Sequence, residues 1–463
     1  MPVLIKNGTI VTACDTYKAD VLIENEKIVE IGMDIKRDDC ETIDASQKYL
    51  IPGGIDVHTH LNLHSGTVVA KDDFYTGTVA AACGGTTSIV DHMGFGPEGC
   101  SLKHQVDVYH GYADGNAVID YGFHGVIQHI NDNILSEMEY IVEGEGISSF
   151  KIYLTYDFKL SDEEVLKTLA RLKELNGITT VHPENDGAIR YLKESYVKAG
   201  KLSPIYHALS RPVECEAEAI NRMINLASLA GDAPLYIVHL SCSLGLDYIK
   251  LAVDRGQRVI AETCPQYLLL DEERYKEPFN NGLKYIMSPP LREKKNQEEL
   301  WKGIRDGYIK VVATDHCPFD FGVEKQLGKG DFTKCPNGAP GIETRMPLMF
   351  SEGVSKKRIS INKFVEVTST NPAKIFGLYP NKGSIEAGFD ADIVLIDPDK
   401  EVNLTKAMLH ENVDYTPYEG MTLRGYPVLT MVRGKVIVKD NVFIGQKGYG
   451  KYMKRSKVFL ENI

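Results

Sequence analysis

From residue 51 onward the chain alternates short apolar runs with longer stretches of helical spacing, eight times over. The apolar runs are GIDVHTH, TTSIVDH, GFHGVIQH, SFKIYL, ITTVHPE, LYIVHLS, RVIAETC and KVVATDH. Short β-branched runs bounded by turn residues read as buried strands, and the intervening segments read as helices. SDEEVLKTLARLKELNG shows the helical signals most fully: Ser161 precedes an acidic first turn, and Gly177 stops the run. NKFVEVTSTNPAKIFG supplies an eighth helix.

Eight such units predict an α/β fold, a (β/α)8 TIM barrel over residues 51–384. Residues 1–50 alternate apolar and polar positions, with Asn-Gly in VLIKNGTIV and Asn-Glu-Lys in DVLIENEKIVEIG as turn signals. The β pattern resumes after residue 384 in ADIVLIDP and VLTMVRGKVIVKDNVF. Residues 1–50 and 385–463, the latter including a C-terminal tail, are therefore expected to form one small β-sandwich domain from both ends of the chain.

The polar residues at the strand ends change the picture from a scaffold to a site. His58 and His60 stand two apart at the end of the first strand and so share a face. Lys151 lies in the fourth strand, His182 ends the fifth, His239 the sixth and Asp315 the eighth. In a barrel these ends meet at one mouth, where active sites of this fold are built. An H-x-H pair alone is weak, His182 or His239 alone reads as a hydrogen-bonded core histidine, and Asp315 alone suits a turn or cap. Four imidazoles and a carboxylate arriving together suit divalent metal of zinc's character, and their number favours two ions. His92, His129 and His316 are expected to be neighbours of this group.

Lys151 sits in SSFKIYLTY, where an unpaired ammonium is costly. It either snorkels to an edge or, as a neutral amine, adds carbon dioxide to give an anionic carbamate able to bridge two metals.

Composition restricts the partners. The 463 residues are 43% hydrophobic and 25% charged, with net charge −12, which argues against nucleic acid or an anionic membrane. The start, MPVLIKNGTIVTACD, reads as a strand rather than a secretory signal, and no apolar run reaches the ~18 residues of a membrane span. Nine cysteines without a C-x-x-C pair suggest neither a disulfide framework nor a thiolate zinc site. A reducing cytoplasm is the expected location.

With these residues assembled, the chain resembles the cyclic amidohydrolases, in their dihydropyrimidinase and hydantoinase branch. PGGIDVHTHLN, SSFKIYLTY, TTVHPEN, YIVHLS, ETCPQYLLLD, MSPPLR, VVATDHCPF and CPNGAPGIETRMPLMF carry the resemblance, which spans essentially the whole chain. It implies two zinc ions per subunit: His58, His60 and Asp315 on one, His182 and His239 on the other, with N6-carboxylated Lys151 and a hydroxide between them. It further implies that Tyr156, Ser288 and Asn337 hold a cyclic amide, the last two largely through their main chain. Asp315 and Tyr156 become the catalytic pair, as proton carrier and oxyanion donor. A homotetramer is implied as well.

The expected reaction is opening of 5-substituted hydantoins or dihydropyrimidines, with Phe95, Tyr153 and Phe158 making an aryl-tolerant pocket. Asn62 stands where a dihydroorotase carries arginine, which argues against that branch. An allantoinase, a mononuclear amidohydrolase that leaves Lys151 unused and a metal-free scaffold of the same fold are the alternatives.

Overall fold

The computed structural model describes residues 2–457. The last residues of the predicted tail, 458–463, lie outside them. Eight strands form one parallel sheet in sequence order: Gly54–Thr59, Thr86–His92, Asp120–Val126, Ser149–Tyr153, Ile178–His182, Leu235–Ile237, Val259–Thr263 and Ile309–Val312. These are the eight predicted runs. The sheet closes beyond the eighth strand, where His316 bridges Thr59 in parallel. Asp315 N–H donates to His58 O at 2.9 Å and His60 N–H to His316 O at 2.9 Å. The wholly buried Arg345 reinforces this seam, donating to Ile55 O (3.2 Å) and Val312 O (3.0 Å).

Helices cover the outside, burying apolar side chains against the strands. Asp162–Glu174 buries Val165, Leu169 and Leu172 and begins with a reciprocal Ser161–Glu164 capping box. Gly177 N–H then closes onto Leu172 O at 2.8 Å, so the expected start and stop both form. The predicted eighth helix is the run Ile361–Ile375, whose middle turn, Glu366–Thr370, widens to π geometry. Pro372, just beyond it, has no N–H to give the preceding turn.

The chain termini build a second, nine-stranded mixed sheet. Ile393–Asn403 pairs antiparallel with Tyr49–Pro52, which joins the C-terminal strands to the N-terminal ones. Ile5, Ile10, Val21, Leu50, Ile393, Leu395 and Met431 form its own core. At ~25 cal/mol per Å² of apolar surface, each such side chain contributes roughly 1.5–3 kcal/mol.

One turn signal was misleading. Asn7-Gly8 does not reverse the chain but lies inside the strand Val3–Val11, where the pairing register shifts as in a bulge. Asn7 takes the left-handed conformation (φ 64°), and Asp20 Oδ1 accepts its N–H at 2.9 Å. The same dihedral that serves a hairpin serves a bulge, and the distant Asp20 decides which forms. Asn25 and Glu26, both at positive φ, do make the second predicted turn.

Candidate metal-binding active site

Each predicted ligand is delivered by a barrel strand or by the residues just past its end. His58 lies in the first strand, Lys151 in the fourth and His182 closes the fifth. His239 and Asp315 follow the sixth and eighth strands at positive φ, 41° and 55°. Those dihedrals are uncommon for residues with a Cβ, and they turn the side chains inward at the barrel mouth. His60 comes just after the first strand and is held by its main-chain bond to His316.

The side chains converge in two sets. Asp315 Oδ1 lies 3.1 Å from His58 Nε2 and 3.0 Å from His60 Nε2. His239 Nε2 lies 2.8 Å from His182 Nδ1. Lys151 Nζ is 3.4 Å from His58 Nε2, next to the first set. Nitrogen and oxygen donors at 2.0–2.2 Å from a common zinc ion lie about 2.8–3.6 Å from one another, depending on the angle between them, so these spacings are within reach of shared ligation. The outward atoms are already committed, which leaves the inward ones free to ligate: His58 Nδ1 to Glu262 Oε1 (2.6 Å) and His182 Nε2 to Glu184 Oε2 (2.7 Å).

Lys151 does not snorkel. It is 1% exposed, and burial pulls its ammonium down to about 8 despite the opposing pull of Asp315 and Glu262. Among the described residues it makes no ion pair within 4 Å. Burial also lowers His60, to about 4, and drives His239 well below the usual histidine range. Asp315 is held well below the usual carboxylate range, because the charges and hydrogen bonds of His58 and His60 outweigh its burial.

These residues line a cavity of about 390 Å³ that also exposes Tyr156, Ser288 and Asn337. Phe95, Tyr153 and Phe158 line it as expected, with the rings of Phe95 and Phe158 3.6 Å apart between centroids and Tyr153 5.4 Å from Phe95. Tyr156 turns at φ 73°, with the Arg211 guanidinium 5.8 Å from its ring centre. Burial raises the Tyr156 hydroxyl above its ordinary value, so it stays a proton donor near neutrality.

Sequence reasoning missed the carboxylates behind the histidines. Glu262 bonds His58 and also takes the His239 N–H (3.0 Å) and the Tyr236 hydroxyl (2.8 Å). Glu184 bonds His182 and is paired with Arg211 at 2.5 Å. The available signal was an acidic residue on, or two residues past, a strand buried on both faces. His92 packs its ring 4.4 Å from that of His58 and 5.2 Å from that of His60, so it is a neighbour of the ligand group as expected. His316 bonds Asp72 at 3.0 Å and accepts two main-chain N–H groups, while His129 does not line the cavity.

Among the described residues no helix is long and apolar enough to cross a membrane. A model of the amidohydrolase family matches residues 49–437. The chain is 56% identical over 456 residues to a D-phenylhydantoinase of Escherichia coli O1:K1, covering 98% of both sequences. The dihydropyrimidinase of Brevibacillus agri superposes with a TM-score of 0.98 at 49% identity, covering 99% of this chain and all of that one. The D-hydantoinase of Bacillus sp. AR9 gives 0.97 at 48%, with the same coverage, and the L-hydantoinase of Arthrobacter aurescens gives 0.88 at 30%, covering 97% and 99%. A cavity walled by histidine, aspartate and lysine at the mouth of such a barrel, in a chain this close to those enzymes, places the protein in the amidohydrolase family.

Proposed function

We propose that this protein is a metal-dependent cyclic amidohydrolase that opens 5-substituted hydantoins, and dihydropyrimidines, to N-carbamoyl amino acids. The observation that carries the reading is the pair of donor sets, Asp315 with His58 and His60, and His182 with His239, beside a desolvated Lys151. Full-length likeness to hydantoinases supports the substrate class.

His58, His60 and Asp315 would hold one zinc ion and His182 and His239 the other, with Lys151, carboxylated on Nζ, ligating both. Bound there, zinc would make water a nucleophile near neutral pH and polarise the amide carbonyl. The chain's own groups do the rest. Tyr156, kept protonated by burial, donates to the carbonyl oxygen as negative charge develops on it. Main-chain groups of Ser288 and Asn337 on the cavity wall orient the ring. Asp315 takes the proton from the attacking water and delivers it to the ring nitrogen as the C–N bond breaks, so one water is consumed for each ring opened. The aromatic wall of Phe95, Tyr153 and Phe158 receives the substituent at ring position 5.

The proposal extends to a division at residues 50 and 384, a homotetrameric assembly, a cytoplasmic location and a small-molecule substrate without nucleic-acid or membrane partners. The deciding experiment offers the zinc-loaded enzyme dihydrouracil, hydantoin, D- and L-5-phenylhydantoin, allantoin and dihydroorotate, with metal content measured in parallel. Ring opening of the hydantoins at about two zinc ions per chain is the expected result. Preference for allantoin would overturn the branch assignment, and less than one zinc without turnover would point to a scaffold.

A further inference from the structure

Lys325 is a second wholly buried lysine, and the reaction has no use for its amine. It is 0% exposed, and among the described residues it makes no ion pair within 4 Å. Its Nζ instead donates to Ile286 O at 2.7 Å and Pro336 O at 2.8 Å, with the face of Phe319 6.0 Å away. Burying an ammonium on two carbonyls is expensive, and a methionine of similar length would fill the same space without that cost. An amine at this place therefore calls for an account beyond packing.

The two carbonyls supply it. Ile286 stands two residues before Ser288, and Pro336 immediately precedes Asn337. Both Ser288 and Asn337 line the active-site cavity, and they come from loops about fifty positions apart in sequence. The same junction is tied by Gly338 N–H, which donates to Ile286 O at 3.0 Å. Gly338 sits at φ 144°, and a Cβ there would lie 2.3 Å from Cys317 O, so the loop passes as close as main chain allows. Neighbouring carbonyls are also fixed: Met287 O by His207 Nε2 (2.8 Å) and Pro289 O by the Tyr267 hydroxyl (2.8 Å). Of these ties, the Lys325 amine alone grips both loops with side-chain donors.

We infer that Lys325 is a positioning residue for substrate binding, a buried amine clasp that sets the spacing of the Ser288 and Asn337 main chains across the cavity. The inference rests on the reading above that these two residues hold the cyclic amide. A main chain displaced by a fraction of an ångström loses hydrogen bonds to the ring, while the other five ligands sit on or just past other strands and Asp315 is tied by its own N–H to His58 O at 2.9 Å, so the ligands stay in place. The loss therefore falls on substrate binding.

The test uses Lys325→Met and Lys325→Gln as zinc-loaded holoenzymes. It combines steady-state kinetics on the wild type's preferred cyclic amide, metal analysis and hydrogen-exchange mass spectrometry. Losing both donors in Lys325→Met should raise KM about tenfold, with kcat and zinc content near wild type, and Lys325→Gln should recover part of the loss. Exchange should rise in peptides spanning 286–289 and 336–338 and stay unchanged in the strands at 178–182 and 259–263. Wild-type KM and exchange in Lys325→Met would overturn the inference. So would a joint fall of kcat and zinc content, or failure of both variants to fold, since each marks a purely structural lysine. If only Lys325→Met fails to fold, Lys325→Gln decides by the same readouts. Should the wild type open no cyclic amide, the function reading fails, while the exchange pattern still reports on the clasp.

Discussion

Glu262 Oε1 lies 2.6 Å from Nδ1 of His58, and the same oxygen receives the His239 main-chain N–H at 3.0 Å. One carboxylate from the seventh strand thus fixes the ring of a residue in the first strand and the main chain of a residue after the sixth. It holds His58 in the tautomer that points Nε2 into the cavity and raises its basicity as a donor. Glu262→Gln should therefore weaken metal binding about 10–100-fold with little change in the folded circular dichroism spectrum, as measured by competition with a chelator. Unchanged affinity would mean that the carboxylate serves packing alone.

Lys151, lowered to about 8 by burial, gives up its proton more readily than an exposed lysine, and the neutral amine is the form that reacts with carbon dioxide. Lys151→Ala should lose bound metal and activity together, and short carboxylic acids added at millimolar concentration should restore part of both. Survival of full metal content and turnover in the alanine variant would remove Lys151 from the site.

Tyr156 is assigned to the developing oxyanion. Tyr156→Phe keeps the ring and removes only the donor, so kcat should fall about 10²-fold while zinc content stays at the wild-type level. A change confined to KM would instead make the hydroxyl a ground-state contact.

Phe158 packs against Phe95 at the cavity wall, the two rings tilted by 31°. Phe158→Ala should lower kcat/KM for 5-phenylhydantoin about tenfold relative to unsubstituted hydantoin, the scale of a lost apolar contact. Equal losses on both substrates would place the ring in the barrel rim rather than the substituent pocket.

Glu411, buried where the loop after the eighth strand meets the terminal domain, is pushed from 4.5 to about 7 by its burial and by the nearby Glu343 and Asp72 carboxylates, against the pull of His316. Below pH 4.5 the group is protonated in folded and unfolded chains alike and costs nothing. Between pH 4.5 and 7 the unfolded chain ionises first, and above 7 the folded state carries a deficit of about 3 kcal/mol. Glu411→Gln should accordingly raise Tm at pH 8 and leave it unchanged near pH 4. An equal shift at both pH values would show that ionisation is not the cause.

The order of the barrel was legible because each strand declares itself locally, as a short β-branched run followed by helical spacing. Strand neighbours in sequence are then neighbours in space, as a right-handed β/α repeat requires. The six candidate ligands were legible for a related reason: polar residues at the ends of buried strands stand out against their apolar setting. Asn7-Gly8 was misread because its dihedral is compatible with either a turn or a bulge, and Asp20 makes the choice. Lys151 could be placed in a strand but not given a state, since snorkelling and burial differ only in what surrounds the chain.

Local pattern alone therefore determined the eight-fold repeat, the terminal β segments and the residue types brought to the mouth. Tertiary structure decided the barrel seam between His60 and His316, the inward turn of His239 and Asp315, the carboxylates behind His58 and His182 and the clasp of Lys325 on two loops. Each of these joins residues far apart in the chain through distances and desolvation, which exist only once the sheet has closed.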